Sequence, residues 1–202
     1  MFGALLEGLI DLVAPRRCAA CDDVLDPGRV GFCDACEPLL DRDPSGQGAF
    51  LYGGPMADAI RRYKYGGRDE LSAPLGALLA SAAGRFAGRV DAVVAVPLHP
   101  RRLAARGFDQ TALLSRPVAK ALGVPRGTLL CRTRDTPAQA GLDLAGRAQN
   151  VRGAFVARPC AGRVLLLDDV RTTGATLAAC AEALTAAGAS RVVTFVLAVV
   201  EG

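Results

Sequence analysis

The sequence predicts an α/β protein, a parallel sheet flanked by helices, preceded by a small metal-binding module. Three observations predict it. From about residue 50 onward, continuous aliphatic runs alternate with helical segments of ten or more residues. Strands of that kind are covered on both faces, the mark of βαβ units. Before that point, four cysteines fall together as two C-x-x-C pairs. Finally, the aliphatic run "VLLL" at 164–167 passes directly into "DDVRTTGAT", putting two carboxylates and a hydroxyl-rich turn at a strand-to-helix junction.

In chain order, "MFGALLEGLIDLVAP" places Phe2, Leu5, Leu6, Leu9, Ile10 and Val13 on a helical period, interrupted by Glu7 and Asp11 and stopped at Pro15. It is too short to span a bilayer and lacks a basic start, so it reads as an amphipathic helix packing on its own protein. A membrane-surface helix would carry Lys or Arg on its polar face, which this one lacks. No membrane span and a cytoplasmic location are therefore expected. "CAACDDVLDPGRVGFCDAC" contributes Cys18, Cys21, Cys33 and Cys36. Each pair offers two thiolates on a tight turn, and two such turns complete a tetrahedral S4 set suited to Zn2+, structural because the protein supplies all four ligands. A redox dithiol or chance clustering is the alternative. Cys131, Cys160 and Cys180 are isolated, and are expected to be reduced, buried thiols. The polar stretch "EPLLDRDPSGQGAF" marks a linker. It divides residues 1–48, the N-terminal helix and four-Cys module, from 49–202, the larger domain.

Within the larger part, "PLGALLASAAGRFAG" reads as a helix and "VDAVVAV" as a strand. "QTALLSRPVAKALG" reads as a helix closing at Gly123, "RVLLL" as a strand, "TLAACAEALTAAG" as a helix closing at Gly188, and "RVVTFVLAVV" as a strand. Ligands of such sheets bind beyond the C-terminal ends of the strands. Backbone N–H groups of residues 172–176, at the start of a helix, make a phosphate cradle; Thr hydroxyls add donors and Gly174 permits close approach. Asp168 and Asp169 then stand about one sugar away, placed to accept hydrogen bonds from ribose hydroxyls. A 5-phosphorylated ribose fits both halves. The sequence has no Walker A loop, and no G-x-G-x-x-G opens the first helix.

The net charge of +4 is unevenly spread: residues 1–50 hold four Arg against nine acidic residues, and residues 51–202 hold 20 basic against 11 acidic. That excess favours anionic partners such as phosphates or nucleic acid, and is equally compatible with an Arg-rich solvated surface.

Residues 164–176 resemble the thirteen-residue motif with which type I phosphoribosyltransferases bind phosphoribosyl pyrophosphate (PRPP). "YKYGGRDE", "VPLHPRRLAARGFDQ", "RTRDTPAQ" and "RAQNVRGAF" resemble, in that order, the ComF/ComFC competence-protein family, which also carries an N-terminal four-Cys zinc module. The resemblance covers nearly the whole chain. It implies a type I phosphoribosyltransferase-like fold with a zinc-ribbon-like module, and PRPP with Mg2+ as ligands. It also implies PRPP contacts from Asp168, Asp169, Thr172, Thr173, Gly174, Ala175 and Thr176. "VPLHPRR" becomes the pyrophosphate loop, with Arg101 and Arg102 near it, and "CRTRDTPAQAGLDLAGRAQNV" the hood loop, with Arg132, Gln139 and Arg147. Asp168, Asp169, Arg101 and Arg102 are the catalytic candidates. His99, the only histidine, reads as a backbone-bonded structural residue rather than an acid or base. Arg106 and Asp109 read as capping and pinning the next helix. Two departures stand out: Asp109 where the family usually has Asn, and Arg171 where it usually has an apolar residue.

If the protein is an enzyme, the resemblance implies displacement of pyrophosphate from C1 of PRPP through an oxocarbenium-like sugar. Mg2+ would bridge pyrophosphate and ribose oxygens, arginines would offset charge on the leaving group, and residues 130–150 would form a lid. The acceptor is not indicated. Since the chain ends directly after its last strand, a hood over the acceptor is expected from the first 70 residues, where no pocket for a base is evident. A second reading is therefore a non-catalytic PRPP or nucleotide-binding module serving in DNA uptake or utilisation, with single-stranded DNA or DNA-uptake proteins as partners. The basic Arg61, Arg62, Lys64, Arg68, Arg101, Arg102 and Arg106, interleaved with Tyr63, Tyr65 and Phe108, would supply such a DNA surface. A third reading, the four-Cys module as a nucleic-acid reader, is disfavoured because that module is acidic.

Overall fold

The longest strands among the described residues are β6 (Arg163–Arg171) and β7 (Arg191–Val199), and they pair in parallel along their whole length, from Arg163 opposite Arg191 to Arg171 opposite Val199. The computed structural model describes residues 15–134 and 153–201. The expected N-terminal helix, together with Gln139 and Arg147 of the expected hood loop, lies outside the described residues. With β1 (Gly48–Leu51), β2 (Ala92–Ala95) and β3 (Arg126–Gly127), the two long strands form one parallel sheet in the order β1-β7-β6-β2-β3. A separate antiparallel pair, β4 (Leu130–Arg132) with β5 (Phe155–Ala157), was not anticipated.

Among the described residues there are five α-helices, α1 (Gly54–Tyr65), α2 (Ser72–Ala83), α3 (Pro100–Arg106), α4 (Gln110–Leu122) and α5 (Ala175–Ala186), and all but the short α3 pack buried residues into the core. Side chains of β6 alternate between two cores. Leu165 and Leu167 join Ile60, Leu75, Leu114 and Phe195 under α1, α2 and α4, whereas Val164 and Leu166 join Leu177, Leu184 and Val196 under α5. A strand buried on both faces needs an unbroken aliphatic run, which is why 164–167 lacks polar alternation. Each such Leu contributes roughly 1.5–3 kcal/mol by leaving water. Helices α2 and α4 meet at Gly76, where an added Cβ would stand 2.6 Å from Pro117 Cγ.

Helix ends follow local chemistry. Asp109 caps α4 by accepting from the Ala112 N–H at 2.9 Å, and Gly123, in the left-handed conformation, closes the same helix. The stretch expected to be a linker is instead tied down. Asp43 accepts from the N–H groups of Ser45, Gln47 and Gly48, converting a Pro-, Ser- and Gly-rich segment into a capped turn that feeds β1. The expected burial of all three isolated cysteines is also corrected. Cys180 is buried and Cys160 partly so, but Cys131 is exposed because β4 turns the neighbouring Arg132 inward. Among the described residues no helix is long and apolar enough to cross a membrane.

The topology decides where a ligand can sit. After β2 the chain leaves through α3 and α4 toward β3; after β6 it leaves through α5, over the other core, toward β7. The loops diverge between β2 and β6, and that divergence opens a crevice at the C-terminal edge of the sheet.

Candidate ligand-binding site

A cavity of about 460 Å³ occupies that crevice. Its floor is the end of β6, with Asp168 and Asp169; one wall is Thr172 and Thr176 at the start of α5, and another is the 96–98 loop after β2. Arg102 of α3 and Arg132 of β4 reach it, and Tyr52, Arg61, Lys64 and Tyr65 close it from the side of α1. The strand period explains why two like charges stand side by side: they leave the backbone toward opposite faces. Asp169 continues the face of Leu165 and Leu167 toward α1, where its Oδ1 lies 2.8 Å from Lys64 Nζ. Asp168 Oδ1 accepts from the Asp169 N–H at 2.8 Å and from the Thr111 hydroxyl at 3.3 Å.

Electrostatics at the floor are unusual for carboxylates. Burial, and then the charge of Asp169, push Asp168 from 3.8 to about 7, with Lys64 acting in the opposite direction. Burial opposes the charge on Lys64, but Asp169 outweighs it and holds the ammonium above the ordinary lysine range. Asp169 Oδ2 is buried and has no hydrogen-bond partner among the described residues. An unmet acceptor at the floor of a polar cavity is what a ligand hydroxyl would satisfy.

Of the residues expected at the site, Asp168, Asp169, Thr172, Thr176, Arg102 and Arg132 line one cavity. Gly174, at φ 78°, caps α5, and the Thr173 hydroxyl accepts from the Ala175 N–H at 3.4 Å, so 173–175 form the turn itself. Arg101 is exposed on α3 and is not among the lining residues. His99 caps α3, its Nδ1 accepting from the Arg101 N–H at 3.3 Å, the backbone-bonded role expected of it. Arg106 lies over the Tyr65 ring, 5.4 Å from its centroid. Arg171 belongs to a neighbouring groove with Asp43, Thr173 and Glu201. Its guanidinium stands 3.1 Å from where a Cβ on Gly174 would be, so Gly174 is needed for space as well as conformation. Sequence reasoning missed the pairing of Lys64 with Asp169 and the hydroxyl of Thr111 on Asp168. Neither leaves a local signal, because both are contacts between distant segments.

The cysteine cluster lies apart from the cavity. The Sγ atoms of Cys18, Cys21, Cys33 and Cys36 all fall within 4.8 Å of one another, and those of Cys21 and Cys33 are 3.6 Å apart. Tetrahedral Zn–S bonds of about 2.3 Å place sulfurs about 3.8 Å apart, so the cluster fits that ion. Burial raises the Cys18 thiol, but backbone donors from Cys21, Cys33 and Ala20 outweigh it and bring the group to about 7. The cluster packs on α1 and α2, since Cys18, Ala19, Leu25 and Phe32 share a core with Ile60, Tyr63 and Leu75. Asp22, in the turn after Cys21 and at φ 69°, pairs with Arg68 at 2.7 Å and Arg62 at 3.5 Å.

A parallel sheet flanked by helices, with a four-cysteine cluster of a geometry that could hold a metal ion at its N-terminal side, defines an α/β protein with an appended candidate metal module. The chain is 36% identical over 149 residues to DNA utilization protein YhgH of Escherichia coli (strain K12), a match covering 70% of this chain and 66% of that protein, just under two thirds of its length. It is 31% identical over 161 residues to Competence protein F of Haemophilus influenzae, covering 72% of this chain and 70% of that protein. The chain belongs to the competence protein F (ComF) family. Among solved structures it resembles glutamine PRPP amidotransferase from B. subtilis complexed with ADP and GMP, at 22% identity and a TM-score of 0.41, over 66% of this chain and 30% of that one. No family model matches the chain.

Proposed function

We propose that the cavity binds PRPP together with Mg2+, and that the protein acts in the cytoplasm as a phosphoribosyltransferase-family protein that displaces pyrophosphate toward an unassigned acceptor. The observation that carries this reading is the meeting, in one cavity, of the acidic end of β6 with the start of α5. Asp168 and Asp169 would hold the ribose hydroxyls, and the N–H groups and hydroxyls of residues 172–176 the 5-phosphate. Arg102, with Arg101 beside it on the same short helix, would face the pyrophosphate after β2, and Arg132 would reach it from β4. When bound, Mg2+ would neutralise charge developing on the pyrophosphate. Zn2+ in the four-Cys cluster would be structural.

A second reading keeps the ligand and drops the turnover: a PRPP or nucleotide-binding module in DNA uptake or utilisation. It is favoured by the names of the relatives, which refer to DNA utilization and competence rather than to transfer. Pyrophosphate release from PRPP, measured with a panel of bases, amines and DNA ends, separates the two. Both readings require binding. PRPP with Mg2+ at 100 times its dissociation constant should add about 2.7 kcal/mol, seen as a rise in Tm of roughly 5–10 °C for a chain of this size. Replacing Asp168 and Asp169 together by Ala should abolish the rise and leave a folded protein. An unmoved Tm in the wild type would overturn the reading.

A further inference from the structure

Lys64 is not a loose surface lysine. It lies on the last turn of α1, with its side chain 19% exposed against 6% for Asp169. That turn is pinned from two directions. The Tyr63 hydroxyl donates to the Gln110 carbonyl at 2.9 Å and its ring packs on Phe108, while Arg62 reaches Asp22 of the cysteine cluster. The ammonium is thus delivered to one oxygen of Asp169, and the other oxygen is left as the unmet acceptor. Exposed ion pairs of this length contribute little; one shielded from water fixes both partners, because separating them strands a charge.

We propose that Lys64 is a positioning residue, which holds one oxygen of Asp169 in place so that the free Asp169 oxygen accepts a ligand hydroxyl. The inference rests on the reading of the cavity as a ribose site. It adds a role for α1, and a dependence of binding on pH that the acidic pair alone would place elsewhere. Several titratable or charged groups act on the pair or its immediate neighbours. Lys64 and Tyr63 come from α1, Arg106 from α3, Asp109 precedes α4, Arg132 comes from β4 and Cys180 from α5. Asp168 sits near 7 in their presence, and Lys64 lowers it. Ionised Asp168 accepts hydroxyls, so binding strengthens as pH rises through that range and levels off above it. A nearby opposite charge lowers a carboxyl, as Lys64 does for Asp168, so its removal moves the limb toward alkali.

The test compares wild type, Lys64→Met and Lys64→Arg. Met keeps the apolar stem that α1 packs, and Arg keeps the charge. PRPP with Mg2+ is titrated by calorimetry from pH 6 to 9. Lys64→Met should bind about tenfold more weakly or worse at pH 7 and recover toward wild type at the alkaline end, its limb displaced by about one unit or more. Lys64→Arg should keep the wild-type limb. A uniform loss across the pH range, or none, overturns the proposal. The second measurement needs no ligand: carbon-detected NMR of the aspartate carboxyls in the free proteins. An upward move of the Asp168–Asp169 titration in Lys64→Met supports the positioning role even if wild type fails to bind PRPP, an outcome that would remove only the ribose-site reading. An unmoved titration overturns the role of Lys64 whatever PRPP does.

Discussion

Asp168→Asn should stabilise the free protein in alkaline solution. The substitution is nearly isosteric, and its oxygen still accepts from Thr111 and the Asp169 N–H, so only the charge is removed. A carboxyl raised from 3.8 to about 7 costs the ionised folded state about 4 kcal/mol, at about 1.4 kcal/mol per pH unit. Because Asp168 is only partly buried and keeps some contact with solvent, about 2 kcal/mol is the figure to expect. The sign follows from the direction of the shift. The folded protein holds this proton above the range in which the unfolded chain has lost it, so wild-type stability falls between about pH 4 and 7 and stays reduced above. Asparagine does not titrate. The gap between the two proteins should therefore be near zero at pH 4, and by pH 8 reach about 2 kcal/mol, or roughly 4–8 °C in Tm. Urea unfolding of both proteins at pH 4.5 and pH 8 measures it, and the same variant should lose most of the stabilisation that PRPP confers. A gap equal at the two pH values, or an asparagine variant weaker than wild type at pH 8, would refute the assignment of a partly buried carboxyl with a raised pKa to Asp168.

The purified, reduced protein should carry one zinc per chain, and Cys33→Ser should lose it together with at least about 3 kcal/mol of stability, measured by metal analysis and denaturation; a metal-free wild type, or a Cys18–Cys36 disulfide, refutes this. Gly76→Ala should cost about 1–3 kcal/mol, because the new methyl would meet Pro117 at 2.6 Å; an unchanged urea midpoint would mean that α2 and α4 separate freely. If single-stranded DNA binds, it should do so on the larger part and weaken steeply with salt, by about 0.7 in log-log slope per released counterion. Tyr65, 78% exposed, should then contribute about 1–3 kcal/mol by stacking. Anisotropy with Tyr65→Ala in the full chain checks both statements, and affinity indifferent to salt and to Tyr65 would contradict them.

What could be read from the sequence was whatever is encoded locally. The passage from "VLLL" to "TTGAT" combines burial on both faces, charge and turn chemistry within thirteen residues, and the structure builds a strand, a left-handed Gly174 and a helix from it. The two C-x-x-C pairs likewise converge as their spacing suggests. Long-range partners were not legible. Nothing near Lys64 announces Asp169, and nothing near Thr111 announces Asp168, since helical and strand periods report which face is buried but not what it meets. Strand β1 went unrecognised because its four residues follow a Gly- and Ser-rich turn whose order depends on Asp43. Cys131 was misplaced for a related reason: in a three-residue strand there is too little pattern to tell the inward face from the outward one.

The edge strand β1, at residues 48–51, has β7, at residues 191–199, as its neighbour in the sheet. During synthesis, then, the segment after the cysteine cluster emerges well before its partner and waits until β7 has been made. Pairings that join such distant segments are slow to form, because loop closure must precede any reward. Until β7 arrives, β1 and the central strand β6 both present open edges, the state in which chains associate with one another. A ribosome that stops short of residue 191 would release a protein with its cysteine cluster, its acidic pair and its phosphate turn all present in sequence, and with no completed sheet to hold them.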